Sequence, residues 1–232
     1  MKSERHIGYL PPKFLTVACM VFGMLMAATV LAKEELPEVD SDGLHLVKGT
    51  KVRVAYLKPG ADLGQYSKVM LVDCFVQFKK NWAKDYNLDQ IGLQGRVSDK
   101  KMDEIKAALA AEFKRIFTDT LTKDGHEVVD TVGPGVLLLR PAILNLDVTA
   151  PDIKRAGMSN TWVSSAGEMT LYMELYDSAS SEIIGRVADP RADRRMDTRM
   201  ANSVTNKVAA DRIMQGWATL LSNHLTEVRN GG

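Results

Sequence analysis

Apolar residues return along this chain at two spacings, and the spacings sort it into strands and helices. Over residues 68–79, Met70, Val72, Cys74, Val76 and Phe78 fall at every second position, while Val69, Leu71 and Phe75 make the other face partly apolar. That pattern predicts one continuous strand covered on one face by helices. A shorter strand is predicted over 52–57, ended by Lys58, Pro59 and Gly60. Residues 81–97 are polar and contain two glycines, and they read as a long loop. The clearest helix follows. Ser98 is its N-cap, Asp99 and Asp103 favour the positive end of its dipole, and Gly125 is its stop. Met102, Ile105, Leu109, Phe113, Ile116 and Thr120 recur at three and four residues, with Phe117 and Leu121 widening the stripe. Strands are expected at 126–131 and 136–148 on either side of Gly133, Pro134 and Gly135. The first of them returns from the helix in a right-handed crossover. Met169, Leu171, Met173 and Leu175 then face inward from a strand over 168–176, whose hairpin partner is 182–188. A second helix over 202–228 carries Ile213, Trp217, Leu220, Leu221 and Val228 at helical spacing. The order β-β-α-β-β-β-β-α predicts an α+β two-layer domain, a mixed sheet of about five to six strands with two long helices packed on one face.

The N-terminal pattern is of another kind. Lys2, Arg5 and Lys13 precede an uncharged, largely apolar run over 14–31, weakened by Thr16, Gly23 and Thr29, which closes on Val30, Leu31 and Ala32 and turns polar at Lys33. A basic start, an apolar middle and a small residue before a polar break are the features of a secretory signal peptide. The favoured reading is a signal peptide over 1–32 cleaved after Ala32, a linker over 33–50 and a single domain over 51–232. Retention of 14–31 as a membrane anchor is one alternative. Lipidation at Cys19 is the other, because Thr16, Val17 and Ala18 before it loosely match a lipobox. Either alternative would bring the chain to a membrane. Cleavage would leave it free in the periplasm.

Charge and chemistry narrow the function classes. Without residues 1–32 the chain keeps 27 Lys and Arg against 28 Asp and Glu, a net charge of −1. Near neutrality argues against nucleic acid, whose partners carry a marked positive excess. Cys74 is then the single cysteine, so no internal disulfide can form, and inside an apolar strand it reads as a small buried hydrophobe. There is no phosphate loop, no Gly-x-Ser-x-Gly elbow and no His-Glu-x-x-His, and His45, His126 and His224 are not spaced as metal ligands. No catalytic residue, cofactor site or metal site is therefore assigned.

Two features suit a binding surface. From Arg186 to Arg199, Asp189, Asp193 and Asp197 stand among five arginines, and Arg191, Arg194, Arg195 and Arg199 could dock an anionic partner through planar, bidentate donors. The same run also reads as a solvated, mutually paired face. The second feature is a long connection over 149–165 that contains Trp162, which either anchors a partner or folds back to cap the core.

Three blocks carry a resemblance: YSKVMLVD at 66–73, LLLRPAILNLDVTAPD at 137–152 and SAGEMTLYMELYDS at 165–178. They resemble a family of bacterial, mostly proteobacterial, envelope proteins of unknown function, many of them described as lipoproteins. The resemblance runs from about residue 43 to the last helix and implies an envelope location without bringing an activity. The chain departs from many members in having no cysteine that ends its apolar leader. More loosely, residues 111–121, the return at 126–130 and the hairpin after Asp177 resemble periplasmic accessory domains of secretion, transport and cell-wall assembly systems. Such domains bind proteins or other envelope components and are mostly not enzymes. The expectation is an exported, non-enzymatic accessory protein that binds a protein or another envelope component. The alternative is an envelope hydrolase or small-ligand binder whose polar groups converge only on folding. Cleavage after Ala32 predicts that the mass of the secreted chain begins at Lys33, and a diacylated Cys19 would contradict it.

Overall fold

Residues 136–148 are nearly all apolar, interrupted by Arg140, Asn145 and Asp147, over a length that suits the middle of a sheet covered on both edges, and everything else is built around them. In the computed structural model, which describes residues 36–88, 96–148, 161–201 and 203–231, this segment is β6, Val136–Val148. Over 161–166, 193–201 and 203–206 the description is of the backbone alone. β7, Thr161–Asp177, lies antiparallel on one side of β6. β3, Lys68–Leu71, and β4, Phe75–Phe78, lie parallel on the other, one after the other. β5, Glu127–Val129, is parallel to β3 beyond it. On the far side of β7 come β8, Ile183–Ala201, then β2, Val54–Leu57, and β1, His45–Leu46, all antiparallel. The result is α+β, as expected, with a mixed sheet of eight strands in the order β1-β2-β8-β7-β6-β3-β5 and β4 added beside β6.

The helices cover one face of that sheet. α2, Asp99–Lys123, starts where Ser98 accepts the Lys101 N–H at 3.2 Å and stops before Gly125, whose φ of +85° suits a residue with no Cβ. It buries Phe113, Ile116, Phe117 and Leu121 against the inward side chains of β3, β6 and β7, each worth about 1.5–3 kcal/mol of burial. α3, Ser203–Arg229, packs beside α2. Its innermost residues are Met214, Trp217, Ala218 and Leu225, while Ile213 and Leu221 are only half-buried. The buried face is thus turned by about one residue from the apolar stripe read in the sequence. Polar pairs decide the rotation: Gln215 donates to Thr120 at 2.8 Å and Ser222 donates to Asp124 at 2.6 Å, both across to α2 or its end.

Four expectations need correction. The strand read as continuous over 68–79 is broken at Val72, Asp73 and Cys74, and its buried set changes phase there, from Val69 and Leu71 to Cys74, Val76 and Phe78. The register shows why the core survives. Leu71 faces Leu139 and Phe75 faces Ala142, one residue more on the β3–β4 side; Val76 faces Ile143 and Phe78 faces Leu146, one residue more on β6. The two irregularities cancel. The second is a bulge at Asn145, whose φ is +53°, and the β6–β7 ladder shifts at the same place.

The predicted loop over 81–97 contains a short helix, α1, Trp82–Leu88, whose Trp82 stacks on Phe78 at 4.3 Å and on Tyr86 at 5.6 Å; residues 89–95 lie outside the described residues. Seven residues are too few to show a helical stripe. The expected linker over 33–50 belongs to the fold from Pro37 onward. Leu44 is 1% exposed, Leu46 donates to the Glu38 carbonyl at 2.8 Å, and Tyr56 donates to the Pro37 carbonyl at 2.8 Å. This strip is polar because it lies along the outermost strand, with a single side chain turned into the core. Lastly, the sheet exceeds five to six strands through β1 and the division of 68–79, and β7 and β8 run further than predicted.

The bulge gives the first stability prediction. Asn145 is exposed, so substitutions there act through the backbone. Asn145→Gly is expected to stay within about 0.5 kcal/mol of the parent, and Asn145→Val to lose about 1–2 kcal/mol, because a β-branched residue resists positive φ. Urea unfolding of the three proteins measures the difference.

Candidate functional site

The five residues marked for partner binding fall on the β7–β8 hairpin. Trp162, expected in a loop, is in β7, paired with Met200; its neighbour Val163 is paired with Arg199 and Ser165 with Arg194. The backbone thus brings Trp162 and Arg199 onto adjacent strands at one end of the hairpin. Arg195 is in β8 beside Arg194, and residues 149–160 of the expected connection lie outside the described residues. Arg191, one register further in, faces Met169 and donates from Nε to Asp189 at 2.7 Å.

Asp189 itself is structural. Only 5% of it is exposed, on the core side of β8, where Oδ1 accepts the Arg53 backbone N–H at 2.9 Å and Oδ2 accepts the Trp217 indole at 2.8 Å. Three donors satisfy a buried carboxylate and join β2, β8 and α3. Arg186, at the start of the charge run, is on the opposite face. It bonds Asp40 at 2.5 Å, Asp42 at 2.6 Å and Glu174 at 3.2 Å, and Glu174 in turn accepts from Tyr172 at 3.0 Å and Tyr176 at 2.9 Å. Burial pushes the Tyr172 phenol, beside the Glu174 carboxylate, up to about 12, so it stays a donor. This cluster fastens the segment before β1 to the outer face of the sheet.

The described surface also carries a groove of about 670 Å³, a size that suits a ligand site. Its floor is β4 and the residues next to it: every residue from Cys74 to Lys79 lines it. A hollow over one face of a strand would touch alternate residues, so this one follows the strand's edge. Asn81, Trp82, Ala83 and Lys84 close one end, and Met102, Asp103, Lys106, Ala107 and Ala110 of α2 form the far wall. Ala107 and Ala110 keep that wall low. Phe75 stands 62% exposed at the rim. Lys79 bonds Asp147 at 3.1 Å and reaches Glu168 at 3.8 Å, and Lys106 bonds Asp103 at 3.1 Å. Cys74, at the floor, is an unreactive thiol, because burial pushes it up to about 12. The pattern of 68–79 conceals this groove, since an unbroken strand would leave no separate β4. The signals that point to it are Asp73 inside the apolar run and the alanines at 107, 108, 110 and 111 in the first half of the helix.

His126 is 3% exposed and lies within 3.1 Å of the Ser222 carbonyl and 3.2 Å of the Thr226 hydroxyl, so it is a core histidine. Among the described residues no group of His, Cys, Asp or Glu is placed to hold a metal ion, and no helix is long and apolar enough to cross a membrane.

The chain belongs to the DUF3313 family, proteins of unknown function, whose profile matches residues 41–221. Membership agrees with the sequence resemblance to a family without an assigned activity. No curated protein matches the chain. Among solved structures it is similar to PelC from Paraburkholderia phytofirmans, described as a dodecamer, at 12% identity and a TM-score of 0.35, over 72% of this chain and 96% of that one. It is also similar to a neuraminyllactose-binding hemagglutinin homolog from Helicobacter pylori, at 12% identity and a TM-score of 0.32, over 70% of this chain and 83% of that one.

The Arg186 cluster carries a pH prediction. Burial would raise the Glu174 carboxyl, but the hydrogen bonds from Tyr176, Tyr172 and Arg186 together hold it below its ordinary 4.5. Its contribution to stability is complete above that value and is lost as pH falls through the lower folded value. Glu174→Gln should cost about 1–3 kcal/mol at neutral pH and flatten the loss of melting temperature below pH 4.5. Parallel acid limbs in parent and variant would contradict this.

Proposed function

We propose that this protein is exported to the bacterial envelope and acts there as a non-enzymatic accessory protein, binding another protein of that compartment through the groove along β4. The groove carries the reading. It combines a strand edge with which no described strand pairs, the exposed Phe75 and apolar walls at Trp82, Met102 and Ala110 with a few polar groups, which is the composition of a recognition surface. The basic, apolar and small-residue sequence of positions 1–32 supports export. The Trp162 and Arg199 end of the β7–β8 hairpin is a second candidate contact, joined by Arg194 and Arg195.

Crosslinking tests the reading. A photoreactive residue at Gln77 in the full chain, expressed in a bacterial host of the family, should give one reproducible protein adduct in the envelope fraction. A chain retained in the cytoplasm, or adducts from position 162 and none from 77, would overturn export or the groove respectively.

A further inference from the structure

The groove lies along β4, and β4 has a ladder partner on one side only. Among the described residues it pairs with β6 and nothing else. Lys79 donates its backbone N–H to the Leu146 carbonyl at 3.0 Å. Peptide groups alternate in direction along an extended chain, so those of Gln77 and Phe75 also turn toward β6, while the N–H and C=O of Val76 and Phe78 turn toward the groove. Backbone donors and acceptors thus line one wall, and the opposite wall at Ala107 and Ala110 is low enough to leave room for another chain. Edge strands are normally blunted by charge, proline or a covering element. Residues 75–78 contain neither charge nor proline.

The rim selects the chain that would fit. Its charged residues are Lys79, Lys84 and Lys106 against Asp103. Asp103 is engaged by Lys106, and Lys79 is shared between Asp147 and Glu168. Lys84 is exposed at the end of the groove and forms no ion pair with the described residues. Lys84 is thus the rim cation left to take a ligand carboxylate, and a second carboxylate would share Lys106 with Asp103, so the site suits acidic side chains interleaved with apolar ones that meet Phe75 and Met102.

Resting on the proposed function, we infer that this groove binds its partner by strand addition: an extended, acidic segment of another envelope protein pairs with the free edge of β4, its carboxylates toward Lys84 and Lys106. The mode has a consequence that side-chain recognition lacks, because it needs peptide N–H groups on one phase of the ligand.

The test uses the purified mature chain and a fluorescein-labelled, terminally blocked hexapeptide alternating valine and glutamate, followed by anisotropy. Three companions complete it: the same peptide with lysine for glutamate, and two peptides N-methylated on alternate amides, one for each phase. The glutamate peptide should bind at least about tenfold more tightly than the lysine peptide. One methylated phase should lose about tenfold or more and the other should not. The double variant Lys84→Glu, Lys106→Glu, both at surface positions, should lose the preference for glutamate while keeping the parent's circular dichroism. Equal binding of both methylated peptides, or no binding of any peptide while Gln77 still crosslinks a protein, would overturn strand addition and leave the proposed function standing. Loss of the Gln77 adduct as well would remove both. A doubling of mass in solution that Phe75→Asp abolishes would overturn it in favour of a second copy on the edge.

Discussion

The central strand β6 has to be a good neighbour on both sides at once, and the rest of the structure follows from how it manages that. It contains Pro141, which has no N–H to give a ladder, and it is thirteen residues long between β7 and the β3–β4 pair. Arg140 and Pro141 fall between the end of the β3 ladder and the start of the β4 ladder, where no partner is needed on that side. The interruption at Val72, Asp73 and Cys74 lies across from that gap. It adds one residue there, and the bulge at Asn145 restores the count within one turn of the pleat. Both neighbours of β6 read the same bulge, so Leu146 stays in line with Leu137, Leu139 and Ile143 on the buried face.

Beside β6, β3 and β4 differ in what lies beyond them. β5 covers β3 but stops at Val129, paired with Met70, so the edge beyond that point has no described strand beside it. α2 crosses above, and its first half shows only half-buried Met102, Ile105 and Leu109 where its second half buries Phe113, Ile116, Phe117 and Leu121. The helix is thus anchored at its C-terminal half and leaves the groove under its N-terminal half.

The charged residues that look most functional divide between two structural tasks. Asp189 and Arg186 are three positions apart in one strand and, because a strand alternates its faces, they serve opposite sides. Asp189 ties α3 and β2 to β8 inside the domain. Arg186 holds Asp40 and Asp42 on the outside and so fixes the chain that leads into β1. Asp189 already accepts from three donors, and Arg186 has both terminal nitrogens engaged by carboxylates while its Nε is buried. The arginines further along β8, with Trp162 opposite, stay as candidates because the hairpin brings them to the same end.

Periodicity and capping chemistry are local, and what depends on them was legible in the residues. That covers α2 from Ser98 to Gly125, the extent of β6, the inward set Met169, Leu171, Met173 and Leu175, and the α+β class. The basic, apolar and small-residue order of positions 1–32 and the want of a familiar catalytic motif are also sequence properties. What escaped depends on a partner far along the chain. The division of 68–79 needs β6 and its proline; the docking of 37–50 needs Arg186, more than a hundred residues away; the rotation of α3 needs Thr120 and Asp124. The groove escapes for the same reason, since it is made by an edge, a short helix and part of α2 brought together from separate segments. A sequence fixes which residues prefer to be buried and in what rhythm, but where a strand ends up without a neighbour is decided only when every strand competes for the same core.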